Sequence, residues 1–238
     1  MRGVHVVSAW KANAVPVAEY TVSAIILGLK NFYQLIRTGR SRQNWSERSK
    51  GRGAFGATVT LLGSTGAVAT RVAEMLKNYR LNVIGIPSPV AERTISFAEA
   101  FAVSDVVSNH LPDRDDNVGC IDGALLESMP QGGFFLNTGR GRQVNEPEMI
   151  EVLKRRPDLT ALLDVQYPEP PQEDSELYTL PNVFLTPHIA GSLGDEVHRM
   201  GEFMADELER FLRGDALMYE VCEAMLLTSQ TKSGAKER

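Results

Sequence analysis

The stretch that decides the fold is Thr58–Leu76, "TVTLLGSTGAVATRVAEML". Its opening residues are apolar or β-branched without alternation, the pattern of a strand covered on both faces. Glycines then turn the chain into a run that reads as a helix over Gly66–Tyr79. In such a corner, a glycine at the strand end allows a sharp turn. A second lets the backbone approach a phosphate, and a small residue lets helix and strand pack closely. Gly63, Gly66 and Ala69 supply these features, spaced G-x-x-G-x-x-A. A glycine-rich corner that binds nothing has the same look, so the loop alone leaves both readings open. No Gly-Lys-Ser/Thr follows, which excludes a P-loop.

Working outward, five more apolar runs follow: "LNVIGI", "DVVSNH", "GFFLNT", "LTALLDV" and "NVFLTP". Helical stretches separate them at Ser96–Val103, Ile121–Met129 and Glu146–Arg155, with Ser96 as one cap and Asn145-Glu-Pro-Glu as another start signal. This alternation predicts an α/β fold, a doubly wound parallel sheet of the Rossmann type. The flanks read as a strand over residues 3–9 and a long helix from Pro16 to Arg37. Beyond them lies the amphipathic helix "DEVHRMGEFMADELERFLRG", with a further helical stretch to about Ser229. They are too small for a second domain. The division expected is 1–15 as the remnant of another domain, 16–192 as the sheet domain with its leading helix, and 193–238 as helices returning to that remnant.

With 238 residues and a net charge of -5, the chain lacks the basic surplus of a nucleic-acid binder. The one basic stretch, Arg37–Gly53, is rich in Ser, Gly and Arg and reads as a solvated linker. The longest continuous apolar run, "VSAIILGL", falls short of the roughly 20 residues that span a bilayer, so no membrane partner is expected. Cys120 and Cys222 stand far apart without metal-ligand spacing, and Met1–Arg2 leads straight into "VHVVSA". A reduced, cytoplasmic protein with no metal site is the expectation.

In an open parallel sheet, ligands bind outside the carboxyl ends of the strands. Those ends read "NHLP", "NTGRGRQVNE", "LLDVQYPEP" and "LTPHIAG", and they gather a cation, an acid and a histidine. Reduction of a 2-oxo acid needs all three. A guanidinium holds the carboxylate and polarises the ketone, an imidazole delivers the proton, and a carboxylate orients that imidazole and favours its charged form. Arg140, Glu169 and His188 are the candidates. Singly, each is also an ordinary loop or strand-end residue; their joint occurrence at successive strand ends is what points to chemistry. His110 ends the third strand near any bound cofactor, whereas His5 and His198 read as structural. None of the six tyrosines has a lysine four residues on, which sets short-chain dehydrogenase chemistry aside.

With these segments in order, the sequence resembles the D-isomer-specific 2-hydroxyacid dehydrogenase family from about Gly3 to the early 220s. "NAVPVAEYTVSAIILGL" is similar to the family's interdomain helix, and "SDVVSNHLP", "FFLNTGRGRQVNE", "ALLDVQYPEP" and "LPNVFLTPHIAGS" to its characteristic segments. The resemblance implies hydride transfer between NAD(P)H and C2 of a small 2-oxo acid, giving a D-2-hydroxy acid, in a homodimer. By it, Arg140 binds substrate, Glu169 tunes the histidine and His188 is the acid/base. Gly63, Ser64, Thr65, Gly66, Ala67, Val68, His110, Leu111, Pro112, Thr138, Gly139, Asp164 and Gly191 would line the site of NAD, with NADP the alternative. Asp164 would face the nicotinamide carboxamide.

Three departures accompany the resemblance. The glycine turn has Thr65 where a second glycine is usual, or one inserted residue. The end of the second strand, "IPSP", lacks the acid that bonds the ribose hydroxyls, and Arg93 nearby reads as a surface arginine or a 2′-phosphate contact. By the resemblance, roughly a domain's worth of chain ahead of Met1 is missing, with the loops that grip substrate. The alternative function is therefore a non-catalytic dinucleotide-binding or scaffold module.

Overall fold

A computed structural model describes residues 3–39, 51–222 and 225. Six strands form one parallel sheet: β1 (Thr58–Leu62), β2 (Asn82–Ile86), β3 (Val106–Asn109), β4 (Phe134–Asn137), β5 (Thr160–Leu163) and β6 (Val183–Leu185). Their order is β2-β1-β3-β4-β5-β6, so the winding reverses between β1 and β3 and opens a crevice at their carboxyl ends. Residues 87–96, after β2, form only a short 3-10 turn at Val90–Glu92, which leaves β2 as an edge with Val83 39% exposed.

Each inner strand is apolar on both sides because each faces helices twice. Val106, Phe134, Leu136 and Leu162 point to one core, and Val107, Phe135, Ala161 and Leu163 to the other. The first core is covered by α1 (Trp10–Leu29) and α3 (Ala67–Leu76), the second by α4 (Phe97–Val103), α5 (Gly123–Glu127) and α6 (Glu146–Arg155). Ala69, Val72 and Leu76 of α3 are no more than 1% exposed. Burying an aliphatic side chain the size of valine or leucine contributes about 1.5–3 kcal/mol. The helix starts follow their caps: the Ser96 hydroxyl accepts from the Glu99 amide while the Glu99 carboxylate accepts from the Ser96 amide, and the Asn145 side chain accepts from the Glu148 amide.

The flanks differ from the sequence reading. The expected helix from Pro16 to Arg37 begins earlier, at Trp10, and is broken into α1 and a short α2 (Phe32–Thr38). The break falls at Asn31, whose φ of 54° is left-handed and ends helical hydrogen bonding. The division at residues 15 and 16 therefore lies inside α1, with Pro16 buried in the body of the helix. By length and composition α1 is apolar enough to cross a membrane, more so than the run at Val22–Leu29 indicated, yet half of it is buried inside this domain. The expected strand over residues 3–9 is a single antiparallel bridge, Val7 to Glu220, because its partner lies at the far end of the chain.

The last long helix, α7 (Asp195–Arg213), ends at left-handed Gly214. Residues 215–222 are not helical. Their backbone is fixed by buried Glu207, whose carboxylate accepts from the amides of Met218 and Tyr219. The rest of the expected helical stretch, 223–224 and 226–229, lies outside the described residues, as does most of the basic linker, 40–50.

Candidate functional site

The glycine turn lies at the switch point. Gly63 has a φ of 74°, and a Cβ there would stand 2.5 Å from the carbonyl oxygen of His110. Both facts require glycine: the backbone is left-handed, and the loop presses against the end of β3. The amides of Gly63 and Ser64 donate to the Ile86 carbonyl, at 2.8 and 3.0 Å, which fastens the loop to the end of β2. Thr65 and Gly66 are exposed, and α3 starts at Gly66 with no side-chain cap and no acid in its first turn. This uncapped helix start is chemically suited to a dinucleotide's phosphates.

The next strand ends are knit together by amides. Register sets Asn109 opposite Asn137, and the Asn109 Nδ2 donates to Asn137 Oδ1 at 2.9 Å and to Gln143 Oε1 at 2.6 Å. Gln143 Nε2 donates to the carbonyls of Leu111 and Pro112, both at 2.8 Å. Asn137 Oδ1 accepts from the Gly139 amide, Gln143 Oε1 from the Arg140 amide, and Asn137 Nδ2 donates to the Arg140 carbonyl. All three side chains are buried; Asn137 and Gln143 fix the backbone at Gly139 and Arg140, and Gln143 also ties that loop to Leu111 and Pro112. A Cβ on Gly141 would lie 1.9 Å from the Gln166 carbonyl carbon, so this loop is pressed against the chain leading to Glu169.

Arg140 itself is half-exposed. Its Nη1 donates to the Gly139 carbonyl at 2.7 Å, and Nε lies 3.9 Å from Asp113, too long for a tight ion pair. The guanidinium keeps further N–H groups for a ligand. His110 bonds Ser108 through Nε2 at 2.9 Å and approaches Thr138 through Nδ1 at 3.3 Å. Loss of water around the ring pushes its pKa down to about 4, so it is neutral near pH 7.

The structure brings His188 and Glu169 into contact. His188 Nδ1 lies 2.6 Å from Glu169 Oε1, with both side chains partly exposed. His188 has a φ of 54°, left-handed and costly for a residue with a Cβ, by roughly 1–2 kcal/mol. Asp164 holds that turn. Its carboxylate accepts from Thr186 Oγ1 at 2.6 Å and from the amides of Ile189 and Ala190 at 2.8 and 2.9 Å, while its carbonyl accepts from the His188 amide. The acid expected to face the nicotinamide is thus only 1% exposed and fastens the loop that carries the histidine. Gly191 lies against Asn13 of α1. Glu146, at the start of α6, is half-buried, and burial pushes its pKa up.

Sequence reasoning missed three contributors. Gln143 and the strand-end asparagines were in plain view within quoted segments, and an amide ending an apolar strand was their signal. Gly141 carried none. The third is α1, which ties both loops: the Tyr20 hydroxyl meets Thr186 Oγ1 at 3.0 Å, the Ser192 amide donates to Asn13, and Thr21 lies 3.5 Å from Thr138.

A parallel sheet wound both ways about a glycine corner, with its polar groups gathered at the switch-point edge, defines a Rossmann-type dinucleotide-binding domain. Residues 22–190 match the family model "D-isomer specific 2-hydroxyacid dehydrogenase, NAD binding domain". The chain belongs to that family and carries its NAD-binding domain. It is 34% identical over 204 residues to the Bacillus subtilis (strain 168) protein YoaD, whose name assigns it to the 2-hydroxyacid dehydrogenases, covering 80% of this chain and 59% of that one. It is 28% identical to the D-3-phosphoglycerate dehydrogenase of Archaeoglobus fulgidus, covering 90% of this chain and 42% of the relative. The chain thus spans about half the length of these curated relatives. The crystal structure of TT0316 protein from Thermus thermophilus superposes with a TM-score of 0.75 at 28% identity, covering 93% of this chain and 72% of that one.

Proposed function

We propose that this chain transfers hydride between NAD(P)H and C2 of a small 2-oxo acid, forming the D-2-hydroxy acid. The observation that carries the reading is the Glu169–His188 contact of 2.6 Å at the sheet's carboxyl edge, two strands from an accessible arginine. With Nδ1 committed to Glu169, Nε2 is the nitrogen left to hand a proton to a carbonyl oxygen. Arg140, fixed through its backbone by Gln143 and Asn137, would grip the substrate carboxylate and polarise the ketone. The dinucleotide, when bound, supplies or accepts the hydride. Gly63–Val68 would hold its phosphates, and His110–Pro112, Thr138 and Gly139 would line the path toward the nicotinamide. Neutral His110 would add no positive charge to that lining.

The test is NAD(P)H oxidation over a panel of small 2-oxo acids. Turnover is expected, with His188→Gln lowering kcat by about 10²–10⁴-fold while cofactor binding persists. Binding without turnover on every acid tested would sink the enzymatic reading. It would favour a non-catalytic dinucleotide-binding module, a reading supported by the missing carboxylate at the end of β2 and by the part-length match to the relatives.

We further infer a homodimer, supported by the apolar surface of α7, where Leu208, Phe211 and Leu212 are 52–75% exposed. Light scattering at high concentration should give twice the chain mass of 26.2 kDa. The free cysteines Cys120 and Cys222 fit a reducing, cytoplasmic setting.

A further inference from the structure

The end of β2 is where the adenosine ribose of a bound dinucleotide is read. A carboxylate there accepts from a free 2′-hydroxyl, whereas an arginine there receives a 2′-phosphate. This chain offers "GIPSPVAER" over Gly85–Arg93, with no acid at the strand end itself. The structure returns Arg93 to that spot. Its Nε and Nη2 donate to the carbonyls of Pro87 and Ser88, at 3.1 and 2.8 Å, and its guanidinium stacks 4.1 Å above the Phe97 ring. A surface arginine would wander; this one is fixed in orientation by two bonds and a ring, with Nη1 left over as a donor.

Arg93 forms no ion pair among the described residues. The acids on the facing segment after β3 are committed elsewhere: Asp116 to Arg114, and Asp122 to the first turn of α5. Glu92, its neighbour in the chain, is exposed, and the bonds of the Arg93 guanidinium go to Pro87 and Ser88 instead. The result is a preorganised, unneutralised cation at a strand end stripped of carboxylate. The glycine turn is fastened to the same place, since Gly63 and Ser64 both donate to Ile86.

We propose that Arg93, with the Ser88 hydroxyl on the same turn, forms a subsite for a ribose 2′-phosphate, so that the chain selects NADP(H) over NAD(H). This rests on the dinucleotide reading given above. A 2′-phosphate gains a charge-assisted bond from the arginine, while the unphosphorylated ribose finds no acceptor for its hydroxyl.

Direct binding tests this without turnover. The full chain is titrated calorimetrically with NADPH, NADH, adenosine 2′,5′-bisphosphate and 5′-AMP. The expected result is at least tenfold tighter binding of each 2′-phosphorylated ligand than of its counterpart, with the ratio shrinking at about 0.5 M salt. Arg93→Gln should bring the ratios close to one, and Arg93→Lys should restore part of them; circular dichroism checks that both variants fold. Equal binding of NADPH and NADH by the wild type, or an unchanged ratio in Arg93→Gln, overturns the proposal and leaves the dinucleotide reading intact. Binding of neither dinucleotide overturns both.

Discussion

The two ends of the crevice are built on opposite plans. At the glycine turn, the backbone is fastened at Gly63 and Ser64, while Thr65 and Gly66 lie open above an uncapped helix. At the Arg140 and His188 turns, backbone groups are tied by buried side chains: Asn137 and Gln143, themselves held by Asn109, for one, and Asp164 for the other. The difference suits the work proposed for each end. Phosphates bring charge that orders flexible amides around them, and a thin loop suffices. Proton transfer requires donor and acceptor held to a fraction of an ångström before substrate arrives, so that end must be rigid by itself.

The contrast can be broken most severely at Gly141. An alanine there has no room against Gln166, so Gly141→Ala should cost more than about 4 kcal/mol or abolish soluble expression, as read by chemical denaturation. Gln143→Leu comes next. It removes the partner of the Arg140 amide and of the Leu111 carbonyl, and one of two bonds at the Asn109 side-chain amide and at the Pro112 carbonyl, and a loss of about 3 kcal/mol is expected in the same assay.

His110 lies between the two ends, touching Gly63 with its backbone and Thr138 with its ring, and it sharpens the comparison through pH. Its pKa is lowered in the folded state to about 4, so the unfolded chain binds the proton more readily. The associated stability is fully present above about pH 6.5 and is lost as pH falls through 4, on the order of 3 kcal/mol. Melting curves of wild type and His110→Asn over that window should diverge, with the variant less sensitive to acid. The smallest effect belongs to the glycine turn: Thr65→Ala, removing an exposed side chain, should shift stability by less than about 0.5 kcal/mol. A large loss there would erase the contrast.

Local patterns made most of the sheet legible. The six apolar runs became the six strands, and the α6 boundaries follow directly from Asn145 as cap and Pro147 in the first turn. What stayed hidden depended on partners distant in the chain. Val7 meets Glu220 across the length of the molecule, and Asn109 meets Gln143 only once register brings β3 beside β4. Arg140, Glu169 and His188 were readable as residue types at strand ends. Glu169 was readable as the acid beside the imidazole; what stayed hidden was the work of Asp164, which is buried and holds the backbone of the His188 turn.

Helix α1 spans the back of this arrangement, reaching the His188 turn through Asn13 and Tyr20 and the Arg140 turn near Thr21. Because one rigid rod grips both turns, any displacement along its axis carries them as a pair. The spacing between His188 and Arg140 is then insulated from motions of whatever packs on the helix's outer side, much as two jaws mounted on a common rail keep their gap while the rail slides.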